Sequence, residues 1–327
     1  MRVRSLCRWA EPLVSAAAFL ALALFPGRAS AAALAGVKLC LTTVIPSLFP
    51  FFVLSGLLLS SLGPGGGSGR GLLTGLFGVR PQAAALFPLG LAAGYPVGAA
   101  SVAALVKQGG CTREEGERLL LSCSNCGPGF LLGAVGGALG SPRIAALLLL
   151  CQGLVSFWLA ALLGAGRPVP PLSTAAQAVK PNQPPFPARF AAAMRGAGRS
   201  MLTVCAYVVF FSVLQAFLPS GPLLRGLLEL TSGVCSLGAL SPISAALAAF
   251  LTGFGGLAVV CQVYAVLEDS GLRGTWYLPC RLLHGLVSAL AVWLCLTAPG
   301  WLPLLAAICA TSVVYVNWSR KRALTVV

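Results

Sequence analysis

Apolar stretches about one membrane thickness long alternate with short polar segments along most of this chain. A helix of roughly 20 apolar residues spans the hydrocarbon core of a bilayer, so the pattern predicts transmembrane helices. Two interruptions fall inside one long apolar stretch, at 94–99 (Gly-Tyr-Pro-Val-Gly-Ala) and 122–128 (Ser-Cys-Ser-Asn-Cys-Gly-Pro). Irregular backbone at membrane depth is tolerated only beside protein or a water-filled cavity. We therefore expect a solute to bind at these two breaks.

The apolar segments occur twice in the same order. A shift of about 160 positions places Gly36 on Gly196, and a slightly larger shift places Gly94 on Gly256. Each copy is predicted to contain an interfacial helix, then an apolar span, then a broken span. These elements are placed at 29–41, 43–62 and 83–108 in the first copy and at 190–200, 201–218 and 243–267 in the second. An odd number of crossings per copy would invert the copies relative to each other, as in many secondary transporters.

The composition between the copies marks the domain boundaries. Residues 166–188 are rich in proline and polar side chains, which predicts an exposed linker. We divide the chain into an N-terminal transmembrane helix at 1–28, a first repeat at 29–165, the linker, and a second repeat with a basic tail at 189–327. The N-terminal segment also fits the template of a signal peptide. The small residues after it belong to the repeat, which favours an uncleaved helix.

Composition and charge support a membrane setting. Hydrophobic residues make up 57% of the 327 residues and charged residues only 9%, whereas soluble domains carry about 25% charged residues. We predict an all-α polytopic membrane protein of about eight transmembrane helices, some of them broken or re-entrant. Basic residues at both ends of the chain place both termini in the cytoplasm. The net charge of +15 is spread between apolar runs, without the basic stripe expected for nucleic-acid binding.

The sequence predicts no metal and no cofactor. Cys123 and Cys126 form a Cys-x-x-Cys pair, but a zinc site needs a second ligand pair. His284 is the single histidine, and no second pair of this kind is present. The cysteines inside apolar helices are expected to behave as small hydrophobic residues.

The second copy offers a break of its own at 252–257 (Thr-Gly-Phe-Gly-Gly-Leu). Gly255 and Gly256 permit positive φ and close backbone approach, which suits either tight helix packing or an opening lined for a ligand. Gln262 lies about two turns further along an apolar helix. It serves either as an interhelical hydrogen-bonding group or as a ligand contact beside the break.

Three ionisable side chains lie in apolar surroundings. Glu229 stands in a mostly apolar stretch, and a carboxylate in the membrane is costly enough to suggest function. The alternative is a short interfacial helix with Glu229 facing water or pairing with Arg225. Arg281 and His284, three residues apart on one helix face, would face an anion or Glu229, or else Arg281 extends to the membrane surface.

Several of these motifs together resemble a known family. The segments at 94–99, 112–115 and 119–128, followed by 228–233, 253–262 and 281–284, are similar in order and spacing to those of the sporulation integral membrane protein YlbJ (SpoVV) family. That family carries the nucleoside-recognition Gate domain, so the two repeats are expected to be of Gate type. The chain departs from the family pattern at Cys126 and Val260.

The resemblance implies endospore formation, with dipicolinate carried across the outer forespore membrane. A small aromatic dianion needs cationic or N–H donors and a flat wall, and helix N-termini favour anions. We hypothesise a carrier with alternating access in which Glu229 and His284 serve coupling and charge. The candidate substrate-binding residues are Gly94, Tyr95, Pro96, Gly98, Ser122, Ser124, Asn125, Gly127, Pro128, Gly255, Gly256, Gln262 and Arg281.

Other functions stay open on the sequence alone. The Gate domain suggests nucleosides or other small solutes as alternative substrates, and a scaffold of the sporulation membrane is a non-transporting alternative. A homo-oligomer or partners in that membrane also stay open. An enzyme is not expected, because no Ser-His-Asp set and no paired carboxylates with a metal-binding pattern are found.

Overall fold

A computed structural model describes residues 2–62, 71–169, 184–219, 221–268 and 270–325, and all regular elements in these ranges are helices. The first half contains α1 (Arg2–Leu24), α2 (Pro26–Leu39), α3 (Ile45–Leu62), α4 (Leu72–Phe77), α5 (Pro81–Ala84), α6 (Leu86–Ala93), α7 (Val97–Lys107), α8 (Arg113–Cys123), α9 (Gly136–Leu139) and α10 (Pro142–Gly164). The second half contains α11 (Phe186–Ala216), α12 (Pro222–Leu228), α13 (Leu230–Cys235), α14 (Pro242–Phe254), α15 (Gly256–Leu267), α16 (Tyr277–Thr297) and α17 (Leu302–Thr325). Short π-helical turns precede α3 (Cys40–Val44) and α9 (Gly129–Val135), and a 3₁₀ turn precedes α17 (Pro299–Trp301).

Six helices in the described ranges are long and apolar enough to cross a membrane, judged by length and composition. They are Pro26–Leu58, Pro142–Gly164, Phe186–Ala216, Pro242–Leu267, Tyr277–Thr297 and Pro299–Arg322. This is fewer than the predicted eight or so. The segment from α8 to α9 is split by its break into pieces that are each shorter than a membrane span, and the apolar part of α1, Pro12–Leu24, is short as well. The all-α membrane architecture agrees with the prediction.

One end of the helical bundle, which we call the basic face, gathers arginines and helix ends. Glu115 near the start of α8 accepts a hydrogen bond from the backbone N–H of Arg80 at 2.6 Å and pairs with its guanidinium at 3.5 Å. Arg118 donates to the carbonyl of Gly78 at 2.8 Å. The start of α8 and the turn before α5 therefore lie together at this face.

The second half reaches the same face. Glu117 on α8 accepts from the backbone N–H of Gly274, just before α16, at 3.1 Å. Arg320 near the end of α17 donates to the carbonyl of Ala165, just after α10, at 2.6 Å. The basic face thus holds the start of α8 and of α16 and the ends of α10, α15 and α17.

The two halves repeat one order of elements in opposite directions. Each has a long helix, a helical hairpin, a broken traverse and a last long helix: α2–α3, α6–α7, α8–α9 and α10, then α11, α12–α13, α14–α15 and α16. α8–α9 starts at the basic face, whereas α14–α15 ends there. α10 ends at the basic face, whereas α16 starts there. The halves are therefore inverted relative to each other, as expected for a transporter-like repeat.

Both hairpins are packed through glycines. In the first, Gly98 on α7 lies against Gly90 on α6, and a Cβ added at Gly98 would come within 3.2 Å of the Gly90 Cα. In the second, a Cβ at Gly233 would overlap the Cα of Gly226. The predicted broken span at 83–108 is thus a re-entrant hairpin that returns to the face from which it starts.

The two predicted interfacial helices are wrong as separate elements. The backbone stays right-handed helical from α2 through the π-helical turn into α3, so 29–41 and 43–62 form one continuous span. The predicted elements at 190–200 and 201–218 are likewise joined in α11, which ends at Ala216. α11 packs antiparallel to α2–α3, because Gly36 lies against Ser212 and Gly56 against Ala193.

The predicted pairing of Gly94 with Gly256 is also wrong. The tip of the first hairpin, at Tyr95, corresponds in the order of elements to the tip of the second, at Glu229. The break at 124–128 corresponds to Gly255. Corresponding residues of the two halves are about 130 positions apart at the hairpin tips and breaks, but about 160 positions apart in the long helices α2–α3 and α11. The main reason is that the segment with α4 and α5 lies only in the first half. A single fixed shift of the sequence cannot follow that difference.

The domain boundaries stay predictions. Most of the proposed linker, 170–183, lies outside the described residues, as does the Gly-rich stretch 63–70. Two clusters of buried apolar side chains organise the rest. The smaller cluster joins α3 to α11 and includes Phe52, Met201 and Val204. The larger one holds the hairpins, the broken traverses, α10 and α16 together.

Candidate functional site

The tip of the first hairpin meets the break of the first traverse. The backbone N–H of Tyr95 donates to the carbonyl of Asn125 at 2.8 Å. Gly94 has φ +74° and lies against Gly127, where a Cβ would come within 2.7 Å of the Gly127 nitrogen. A Cβ at Gly98 would overlap the carbonyl oxygen of Cys123. The two polar interruptions found in the sequence are therefore in direct contact.

The second traverse breaks beside them. Gly255, with φ +94°, ends α14, so nearby carbonyls need partners from outside the helix. Arg281 donates to the carbonyl of Gly253, and His284 Nδ1 lies 3.2 Å from the same oxygen. The hydroxyl of Tyr95 lies 3.4 Å from the carbonyl of Thr252. A cation at this helix end also suits the partial negative charge of its carbonyls.

Asn125 joins the first break to the long helices α10 and α16. Its amide nitrogen donates to the carbonyl of Ser122 at 2.6 Å. Its Oδ1 accepts from the hydroxyl of Ser156 on α10 at 2.5 Å and lies 3.5 Å from a terminal nitrogen of Arg281. The amide therefore ties the break to both helices.

His284 and Gln152 complete this polar group. His284 Nε2 lies 2.8 Å from the Ser156 hydroxyl, whose one proton can reach either that nitrogen or Asn125 Oδ1. Gln152 donates to the hydroxyl of Thr252. All are buried. We call this set the central cluster: Asn125, Gln152, Ser156, Thr252, Arg281 and His284.

The central cluster carries an uncompensated charge. Arg281 is 0% exposed, and none of the described carboxylates is paired with it. Within the described part of the chain its Nε is buried without a hydrogen-bond partner, as are the hydroxyls of Ser124 and Tyr277 and the Oε1 of Gln152. Buried polar atoms usually find partners, so these unpaired groups are consistent with a place for water or a polar ligand.

A small cavity lies on the other side of Tyr95. It has a volume of about 30 Å³ and is bordered by Tyr95, Cys126, Gly127, Glu229 and Gln262, with apolar side chains of α3 and α11. Seven of the predicted site residues thus fall into two neighbouring groups: Asn125, Arg281 and His284 in the central cluster, and Tyr95, Gly127, Glu229 and Gln262 around this cavity. Tyr95 contacts both.

Glu229 forms the tip of the second hairpin and is 3% exposed, so it does not face water. Its carboxylate accepts from the backbone N–H groups of Thr231 at 2.8 Å and Ser232 at 2.7 Å, and so caps α13. No ion pair joins it to Arg225 within the described residues. Glu229 also stays apart from Arg281, so the two charges at membrane depth are not paired with each other.

The remaining predicted residues have local backbone roles. Pro96 occupies the N-cap position of α7, and Pro128 occupies that of the π-helical turn before α9. The hydroxyl of Ser122 bonds back to the carbonyl of Leu119 at 3.3 Å. Gly256, with φ +79°, packs against the second hairpin beside Leu230.

Four polar residues of the site were missed by the sequence analysis. Gln152 and Ser156 are one turn apart on the otherwise apolar α10, and Tyr277 and Ser288 continue the buried face of α16 that carries Arg281 and His284. Polar residues recurring at three- and four-residue steps in apolar helices would have identified them. No cluster of three metal-ligating side chains occurs in the described part of the chain.

Comparison with known proteins finds a relative among sporulation proteins. The chain is 26% identical over 313 residues to the sporulation integral membrane protein YlbJ of Bacillus subtilis strain 168, in an alignment that covers 79% of this chain and 75% of that protein. No family model matches the chain, and no solved structure matches it.

Proposed function

We propose that this protein is a secondary carrier of a small organic anion, and that dipicolinate is its substrate. The observation that carries the proposal is the buried Arg281 at the junction of the breaks, without a carboxylate partner among the described residues. Scales from translocon-insertion experiments, which give the lowest values, put the cost of a charged side chain at the membrane centre at roughly 2.5–3.5 kcal/mol. A bound anion would neutralise that charge, and the hydroxyls of Ser124 and Tyr277 offer it further donors.

Alternating access fits the inverted halves and the closed site. The cavity beside Tyr95 has room for about one water molecule, whereas dipicolinate is a pyridine ring with two carboxylates. The hairpin tips must separate to admit it. Tyr95 lies between the cavity and Arg281, so its ring moves aside or stacks on the pyridine. Glu229 at the opposing tip carries the coupling proton.

The cellular setting rests on the relative and on charge. The name of the Bacillus subtilis protein supports a role in sporulation, and the apolar helices support a membrane location. We place the protein in the outer forespore membrane. Because basic residues concentrate on cytoplasmic sides, the basic face and both termini are assigned to the cytoplasm. The protein acts as a carrier and not as an enzyme.

Uptake by purified protein in liposomes tests the proposal. Saturable dipicolinate uptake is expected, and the Asn125→Ala and Arg281→Ala double variant should abolish it. Arg143→Ala, an exposed arginine at the start of α10, is the matched control and should leave uptake unchanged. Normal uptake in the double variant would refute the site.

Two further measurements separate the alternatives. Saturable uptake of a labelled nucleoside by the same liposomes, unaffected by added dipicolinate, would identify a nucleoside carrier instead. Spores that lack the protein should contain little dipicolinate. If substitutions at the breaks leave the spores and their dipicolinate content normal, while substitutions in exposed loops impair spore assembly, the protein is a scaffold.

A further inference from the structure

A cleft of about 590 Å³ opens at the basic face between α3, the first hairpin and α11. Its position follows from the residues around its mouth. Gln82 lies in α5, two residues after Arg80 of the basic face, while Gln108 follows the end of α7. Arg189 lies in the first turn of α11. The cleft therefore occupies the seam between the pair of long helices α3 and α11 and the rest of the bundle.

The small cavity beside Glu229 lies deeper on the same seam. Leu48 on α3 and Val44 in the π-helical turn before it border the cavity, and Phe52, Gly56 and Ser60 on α3 border the cleft. Residues four apart are neighbours on a helix surface, so Leu48 at the cavity lies next to Phe52 at the cleft. The cavity and the cleft are therefore adjacent along α3.

The opposite wall repeats this arrangement. On α11, Val208 and Val204 border the cavity, and Ser200, Ala197 and Ala193 border the cleft. Because α11 runs antiparallel to α3, its sequence reaches the basic face in the reverse order. The cleft and the cavity therefore follow one another along the seam between α3 and α11, from the basic face towards the hairpin tips, and we call the two together the groove.

Apolar side chains lie between the cleft and the cavity. Phe52 is 3% exposed and Met201 is 5% exposed, and both belong to the buried cluster that joins α3 to α11. Val97, at the start of α7, borders the cleft and packs against the same cluster. Phe52 is the largest of the three side chains, and it lies one turn from Leu48 at the cavity.

The chemistry of the cleft suits a small polar solute. Its volume lies within the range of about 300–1,000 Å³ typical of small-molecule sites. Polar side chains line it both near the basic face, at Gln82 and Gln108, and at its inner end, at Ser200, and Arg189 adds a positive charge that favours anions. Alanines and glycines line much of the remainder, which leaves space for a ring.

We propose that this groove is the water-filled access path for the organic anion, and that the Phe52 side chain is its gate. The identity of the solute rests on the proposed function, but the path and the gate do not. Movement of Phe52 away from Met201 and Val97 would connect the cleft to the cavity beside Tyr95 and Glu229.

Cysteine labelling from the basic face tests the path. Three single substitutions on α11 are compared with a charged, membrane-impermeant thiosulfonate reagent: Ser200→Cys in the cleft, Val204→Cys at the cavity, and Leu202→Cys, which is 74% exposed on the outer surface of the bundle. The neighbouring Cys205 is replaced by alanine in every variant, and modification is measured for each site by mass spectrometry.

The expected result is rapid labelling of Ser200→Cys and labelling of Leu202→Cys and Val204→Cys at least tenfold slower. Adding Phe52→Ala should raise the rate at Val204→Cys at least tenfold without changing Leu202→Cys. Phe52→Leu, a milder change that keeps an apolar side chain, should give an intermediate rate if Phe52→Ala does not fold.

Two results would overturn the proposal. Equal labelling of Ser200→Cys and Leu202→Cys would mean that lipid fills the cleft. A rate at Val204→Cys that is unaffected by either Phe52 variant would exclude Phe52 as the gate. The expected labelling together with absent dipicolinate uptake would instead refute the proposed substrate and leave the path intact.

Discussion

The central cluster buries the positive charge of Arg281, and the small cavity beside Tyr95, which we call the Glu229 cavity, is bordered by the buried carboxylate of Glu229. The two side chains are held in different ways. Arg281 donates to a backbone carbonyl at the end of α14 and lies near Asn125, but its Nε has no partner among the described residues. Glu229 has both carboxylate oxygens occupied by backbone N–H groups of α13. The cation therefore keeps capacity for a ligand, whereas the anion is held by its own hairpin.

The two regions also differ in access. The central cluster is enclosed between α8, α10, α14 and α16, while the Glu229 cavity lies on the seam that leads to the basic face. A solute would reach Glu229 and Tyr95 before it reaches Arg281. In the proposed carrier, Arg281 therefore holds the anion and Glu229 carries the coupling proton.

The largest effect is expected from Gly98→Ala, because the first hairpin contacts both the central cluster and the cavity beside Glu229 through Tyr95. The new Cβ would overlap the Cys123 carbonyl and push the first hairpin from the break. Overpacking of this kind costs about 1–3 kcal/mol or more. Thermal unfolding in detergent should show a clear loss of stability, while Gly137→Ala, with open space at its Cβ, should not. Equal stability of the two variants would contradict the packing.

Arg281→Gln should weaken anion binding with a smaller effect on folding. Hydrogen bonds to charged groups contribute roughly 1.5–3 kcal/mol, so affinity should fall about tenfold to a hundredfold. Dipicolinate binding by calorimetry measures this directly. Arg143→Gln is the control. Unchanged affinity in Arg281→Gln would assign the arginine to capping α14 alone.

Glu229→Gln should separate coupling from binding. The amide oxygen can still accept one of the two backbone hydrogen bonds, so we expect affinity to change less than about tenfold. Uptake should lose its dependence on a pH gradient, measured in liposomes with and without that gradient. Glu114→Gln, on the exposed first turn of α8, is the matched control. If uptake by Glu229→Gln still depends on the pH gradient, Glu229 does not carry the coupling proton.

Tyr95→Phe should have the smallest effect. Its hydroxyl lies 3.4 Å from the Thr252 carbonyl, which is a long hydrogen bond, so less than about 1 kcal/mol is expected to be lost. The Michaelis constant for dipicolinate should change less than about fivefold, and the exposed Tyr315→Phe serves for comparison. A larger effect at Tyr95 would mean that the hydroxyl itself contacts the solute.

Much of the site was accessible to sequence reasoning because membrane-depth polar groups are costly. Asn125 and Arg281 stood out on that ground and Gly94 as part of a helix break, and the structure brings all three to one junction. Gln152 was not identified, and its partner Thr252 was noted only as the first residue of a break, because the sequence does not reveal which helix a buried polar side chain faces. The hydrogen bond between them joins residues 100 positions apart.

The sequence by itself determined the helical membrane class and the positions of the breaks, because these follow from local hydropathy, glycine and proline. Only the tertiary structure decided that the first broken span turns back as a hairpin and that Glu229 is the counterpart of Tyr95. It also decided that Arg281 and Glu229 stay apart and that the cleft and the cavity lie along one seam between α3 and α11. Those features depend on which helix faces pack together, and packing between distant segments is not encoded in the period of any one of them.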